Sequence, residues 1–113
     1  MKQWLIFDLD NTVSDDGWRI QHIAWAEKDP FKRYHNYHLL AGFDALANKE
    51  LFEPDCNIAV FTARPAFYAP IASEWLRRNG IQHNALFMRQ DNDHTPSVQL
   101  KKRQLHNFFG LMK

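Results

Sequence analysis

The chain has 113 residues, 45% of them hydrophobic and 14% aromatic, which suits one domain spanning 1–113 that buries a core without disulfides or structural metal. With 14 Lys and Arg against 13 Asp and Glu the net charge is +1, so no global field favours a polyanion and any nucleic-acid contact has to be local. The single Cys56 cannot form an internal bridge, and an opening apolar run that ends in two carboxylates excludes a secretory h-region or a bilayer span, pointing to a cytoplasmic protein with no membrane contact.

Residues Gln3 to Asp8 form a short apolar run with β-branched and aromatic members, as expected of a buried parallel strand. A helical insert follows, over about residues 18–53. Ile20 to Lys28 and Leu39 to Lys49 have roughly helical apolar spacing, and Asp29-Pro30 between them should break or start a helix. Asn57 to Thr62 read as a second strand. Ala66 to Asn79 read as a helix with Ile71, Trp75 and Leu76 near one face, stopped by Asn79-Gly80, and Pro65 should begin it. Ala85 to Met88 predict a third strand, and Thr95 or Ser97 is the expected N-cap of a last helix over Val98 to Phe109. Strands alternating with helices predict a parallel α/β sheet of few strands, and most of the four Trp residues should lie in or beside its core.

In an open α/β sheet, chemistry is expected just past the carboxyl ends of the strands. Asp8, Asp10, Asn11 and Thr12 occupy that place after the first strand. Two carboxylates two residues apart on extended backbone point to one side, where they can share a cation or differ in pKa. D-x-D-N alone reads as a strand-end turn. Its context changes that reading, because the second strand ends in Thr62-Ala63-Arg64-Pro65 and the last helix carries Lys101 and Lys102. Carboxylates for a nucleophile and a metal, with a hydroxyl and cations for an anion, are together what phosphoryl transfer requires.

Phe7-Asp8-Leu9-Asp10-Asn11-Thr12-Val13 resembles the first signature of the haloacid dehalogenase (HAD) superfamily, Phe61-Thr62-Ala63-Arg64-Pro65 the second, and the late lysine the third. Trp75 to Leu105 is similar to the phosphatase domain of bacteriophage polynucleotide kinases, in its W-L-x-x-x-G-I element, L-x-M-R strand and V-K-x-x-x-L helix. The resemblance implies a Rossmann-like three-layer fold and a Mg2+-dependent phosphomonoester hydrolase acting through an aspartyl-phosphate on a nucleotide, or on the 3'-phosphate end of a nucleic acid. A non-catalytic binding or inhibitor module on the same scaffold is the alternative.

By that resemblance Asp8 is the nucleophile and a Mg2+ ligand. Asp10 is the general acid and then the base, and contributes its carbonyl to the metal. Thr62 hydrogen-bonds the phosphoryl group and Lys101, with Lys102 as the alternative, neutralises it. Asn11, Thr12, Ala63 and Arg64 contact the phosphate, the Asn11 stretch through backbone amides. Arg19 and Arg89 are substrate contacts or, equally, structural arginines, with Asp91 or Asp93 as partners for Arg89. The six His residues lack zinc-ligand spacing. Phe31, Tyr34, Tyr37 and Phe43, with Lys32 and Arg33, read as a helical core stripe, and nucleotide stacking is the second reading.

HAD relatives continue past the last helix into a strand ending in an acidic pair that completes the metal site, whereas this sequence ends at Phe109-Gly110-Leu111-Met112-Lys113. A sheet truncated at that edge is therefore expected. Three outcomes follow: turnover is reduced or lost, a carboxylate from Asp15, Asp16, Asp91 or Asp93 replaces the missing ligand, or a second copy in a homodimer completes the edge.

Overall fold

The computed structural model describes residues 3–51 and 55–111. Three strands, β1 (Trp4–Asp8), β4 (Asn57–Pro65) and β5 (Ala85–Arg89), form a parallel sheet in the order β1-β4-β5. Trp4 pairs with Asn57 and Asp8 with Phe61, so the tips of β1 and β4 lie side by side. Between Phe61 and Pro65 the pairing of β4 with β5 shifts register, which frees the backbone around Thr62 and Arg64 from a regular ladder.

Strand alternation divides the core into two layers. Phe7, Ile58 and Val60 face Ala72, Trp75 and Leu76 of α3 (Ala69–Arg78), whereas Ala59 and Phe61 face Phe108 of α4 (Ser97–Leu111). This is the helix–sheet–helix arrangement of a Rossmann-like α/β fold. Gly80 ends α3 with φ 73°, and the Ile81 amide returns to the Leu76 carbonyl at 2.9 Å. Among the described residues, no helix is long and apolar enough to cross a membrane.

The predicted long helices of the insert do not form. A two-stranded antiparallel ribbon, β2 (Ser14–Asp15) with β3 (Ala45–Leu46), closes its base. Between them lie only a 3-10 stretch at Gly17–His22, α1 (Pro30–Arg33), α2 (His35–Leu39) and a 3-10 turn at Leu40–Phe43. Each of these is too short to be stable alone, and side-chain networks hold them in place. Asp29 caps α1 through the Phe31 amide at 3.0 Å, so Asp29-Pro30 starts a helix.

The spacing that suggested helices reflects no continuous buried face, since Ile20, Leu39 and Phe43 are exposed. Trp18 and Trp25 are exposed as well, and of the four Trp residues only Trp75 is fully buried. Pro65 ends β4 and caps the following 3-10 turn at Ala66–Tyr68, which precedes α3. Thr95 does not cap α4, because its amide and hydroxyl both donate to Asp93.

Candidate active site

Asp8 is the last residue of β1 and belongs to the strand parity that faces α4, so its carboxylate meets a residue one turn into that helix. That residue is Lys101, with Nζ 2.7 Å from Asp8 Oδ1 and both side chains more than one-third exposed. Lys102 points to solvent.

Past the strand, Leu9 is buried and Asn11 takes φ 61°, the left-handed turn that Asn tolerates. Asp10 is thereby brought against β4 and the insert. Arg64 Nη2 and Arg19 Nη2 each lie 2.6 Å from Asp10 Oδ1, and Arg64 Nε lies 3.0 Å from Oδ2. Thr62 Oγ1 is 3.4 Å from Oδ2 and accepts from the Arg64 amide at 3.1 Å, which sets the orientation of that arginine. Burial pushes the Asp10 pKa up, but the hydrogen bonds and charge of Arg64, together with the charge of Arg19, outweigh it and hold the carboxyl below its ordinary range.

Behind this pair stands Asp44, a buried carboxylate that no local sequence pattern marks. It accepts from Arg19 Nε at 2.9 Å and Nη2 at 2.8 Å, from Ser14 Oγ at 2.5 Å and from Trp18 Nε1 at 2.8 Å. The β2–β3 ribbon is what brings it beside Ser14. Arg19 therefore bridges two carboxylates, and its guanidinium also lies 4.1 Å from the centroid of the Tyr37 ring. Tyr37 in turn donates to Asp16 at 2.5 Å.

A cavity of about 480 Å3 opens at these strand ends. Of the sequence candidates, Asp8, Asp10, Ala63, Arg64, Arg89 and Lys101 line it. Thr62 and Arg19 are buried behind it, each touching Asp10, so Arg19 acts on the cavity through that carboxylate. Asn11 and Thr12 lie outside the lining. The Asn11 amide donates to the Ser14 carbonyl at 2.8 Å and the Thr12 carbonyl accepts from Asn48 at 2.6 Å, so an amide contact to phosphate at Asn11 would first require that bond to break.

Arg89 has a cradling role. Its guanidinium donates to the carbonyls of Ala63, Asp93 and Thr95 at 2.9, 3.0 and 2.6 Å, and so ties β4 to the loop before α4; its contact with Asp93 is to the main chain, not the carboxylate. Of the four carboxylates considered as replacement ligands, Asp91 and Asp93 line the cavity, whereas Asp15 and Asp16 do not. Asp91 accepts from the Phe67 amide at 2.7 Å, and Asp93 is held by Thr95 and Arg103.

A divalent cation such as Mg2+ needs several oxygen ligands. The Asp8 carboxylate, exposed in the cavity, fits that need. The Asp10 carboxylate does not, because both of its oxygens are taken by guanidinium groups, so only its main-chain carbonyl remains as a candidate. Among the described residues, no group of three or more His, Cys, Asp or Glu is placed to hold a metal ion.

Sequence reasoning missed Asp44 and Ser14, and it placed Phe31, Tyr34 and Tyr37 in a core stripe although all three line the cavity. Phe43 is exposed and lies outside the lining.

No protein-family model and no curated protein matches the chain. The fold is similar to that of a chain in a structure of the Pnkp1/Rnl/Hen1 RNA repair complex, with a TM-score of 0.67 and 22% identity over 94% of this chain and 31% of that one. A chain in another structure of the Pnkp1/Rnl/Hen1 complex gives 0.63 and 22%, over 90% of this chain and 32% of that one. The chain thus spans about a third of the length of the chains it matches, and what it shares with them at this identity is the α/β fold.

Proposed function

We propose that the chain is a HAD-type phosphomonoester hydrolase that works through an aspartyl-phosphate on Asp8. The observation that carries this reading is the 2.7 Å pair of Asp8 and Lys101 at the mouth of a cavity that also holds the Asp10–Arg64 pair. A nucleophilic carboxylate beside a partly exposed cation, next to a second carboxylate under guanidinium control, is the donor set that phosphoryl transfer uses.

In this scheme an Asp8 oxygen attacks phosphorus and the ester P–O bond breaks. The leaving oxygen takes a proton from Asp10. Asp10, now ionised, removes a proton from water, which attacks phosphorus and frees phosphate and the Asp8 carboxylate. Lys101 balances charge on the transferring group, and Arg64 forks onto it. A phosphate dianion entering beside Asp10 disfavours its charged form and competes for Arg64, so Asp10 can gain the proton that its resting partners withhold. Mg2+, held by the Asp8 carboxylate and the Asp10 carbonyl, would supply further neutralisation of the phosphoryl oxygens.

The nucleic-acid 3'-phosphate end, or a nucleotide, is the substrate class we assign. The solved structures that share the fold are of an RNA repair complex, which supports this choice. Release of phosphate from p-nitrophenyl phosphate and from 3'-phosphorylated oligonucleotides in the presence of Mg2+ tests the proposal. Asp8→Asn should abolish release, and equal release by the variant would end it.

A further inference from the structure

The cavity is much larger than a phosphoryl group needs, and its volume of about 480 Å3 lies within the usual ~300–1,000 Å3 of small-molecule sites. One side is formed by the strand ends with Asp8, Asp10 and Arg64. Another comes from the insert, where α1 contributes Phe31, α2 contributes Tyr37, and Tyr34 stands at the junction between the two helices.

These rings differ in what already covers them. Phe31 is stacked with Tyr68, at a centroid separation of 5.7 Å and an interplanar angle of 23°, and Tyr37 has the Arg19 guanidinium over its face. Tyr34 meets Trp25 at 81°, Tyr37 at 68° and His38 at 42°, so no ring is stacked on it among the described residues. It is a half-buried aromatic in a cavity wall with no parallel partner among the described residues.

Charge decides what that partner is. Asp8, Asp10, Asp91 and Asp93 line the cavity. The cations that line it are Lys101 and Arg64, which pair with Asp8 and Asp10, and Arg89, which is committed to three carbonyls. Among the described residues no further lysine or arginine lines the cavity beyond the phosphoryl position, so a run of backbone phosphates is disfavoured there and a flat uncharged group is favoured.

We infer that Tyr34, supported by Phe31, is a stacking platform for the nucleobase of the nucleotide that carries the scissile phosphate. This rests on the phosphomonoesterase reading of the same cavity and adds to it that one terminal nucleoside is gripped through its base. Stacking tolerates every base, so the platform selects for a nucleoside without selecting its identity.

Steady-state kinetics with a 3'-nucleoside monophosphate and with glycerol 2-phosphate, which has no ring, tests this in the full chain. Tyr34→Leu should raise KM for the nucleotide about tenfold, with kcat nearly kept and glycerol 2-phosphate unchanged. Tyr34→Phe, which keeps the π-face, should behave as wild type, and Phe31→Leu should show the same selective KM effect at a smaller size.

An equal rise in KM for both substrates would overturn the inference, as would an unchanged nucleotide KM. A phosphotyrosine peptide hydrolysed with a lower KM than the nucleotide, and equally sensitive to Tyr34→Leu, would assign the wall to protein substrates and also overturn it. Calorimetry with the same nucleotide separates the two proposals: tight binding that weakens about tenfold in Tyr34→Leu sustains the platform even if no substrate is hydrolysed. Binding equal in the two proteins refutes the platform whatever the activity.

Discussion

Arg19 and Asp44 meet through two guanidinium nitrogens at 2.9 and 2.8 Å with both side chains fully buried, and the nitrogen nearer the cavity, Nη2, reaches on to Asp10 at 2.6 Å. A residue deep in the insert therefore sets the position of the carboxylate assigned to proton transfer. Removing Asp44 would leave Arg19 buried with one acceptor fewer and would strand the donors of Ser14 and Trp18. Asp44→Ala should destabilise the fold by about 3–5 kcal/mol, the cost of breaking a buried ion pair, as read from urea unfolding.

Lys101 presents the opposite balance. Its pair with Asp8 is more than one-third exposed, so its contribution to stability should be under about 1 kcal/mol. Its place beside Asp8, the nucleophile we propose, gives it a large kinetic weight under that proposal. Lys101→Ala should lower kcat/KM by about 10²–10³ with little change in the unfolding midpoint, whereas Lys102→Ala should leave both unchanged.

The Asp10 carboxyl sits below its ordinary 3.8 because the Arg64 and Arg19 interactions outweigh burial. A carboxyl lowered on folding adds stability that is complete above the unfolded value and is lost as pH falls through the folded one. Arg64→Met removes the larger opposing influence and leaves burial, so the Asp10 carboxyl should rise and its titration by carboxyl-carbon NMR should move to higher pH. Titration unchanged from wild type would show that Arg19 alone sets it.

His38 offers a different acid response. Burial pushes its pKa down to about 3, Asp10 opposes this, and the charges of Arg64, Arg19 and Arg89 add to it. Its Nδ1 is buried with no hydrogen-bond partner among the described residues. Between 6.5 and about 3 the unfolded chain binds a proton that the folded chain refuses, so stability falls as pH drops through that window. His38→Phe, amid the rings of Tyr34, Tyr37 and Tyr68, should remove about 2 kcal/mol of the loss between pH 7 and 5, measured by urea unfolding at both.

How far the sequence foretold this can be judged from particular residues. The sheet was legible because Ile58 and Val60 alternate with Ala59 and Phe61 in a run too apolar to lie anywhere but between two layers. Between Lys101 and Lys102 it was the resemblance to a V-K-x-x-x-L helix that favoured Lys101, and Lys101 is the lysine that lies beside Asp8. The insert was not legible. Its pieces have no continuous apolar face, and they are fixed by long-range bonds such as Trp75 Nε1 to the Asp44 carbonyl at 2.8 Å, which no window of sequence contains. The same reason hid Asp44, whose partners lie 25 to 30 residues away.

Whether Asp8 is a nucleophile that accepts a phosphoryl group is tested most directly by its capture of a phosphoryl mimic. Fluorine-19 NMR of the protein with beryllofluoride and Mg2+ should show bound fluoride resonances in wild type that vanish in Asp8→Asn and weaken in Lys101→Ala. Absence of any adduct at saturating Mg2+, or an adduct that persists in Asp8→Asn, would contradict the account.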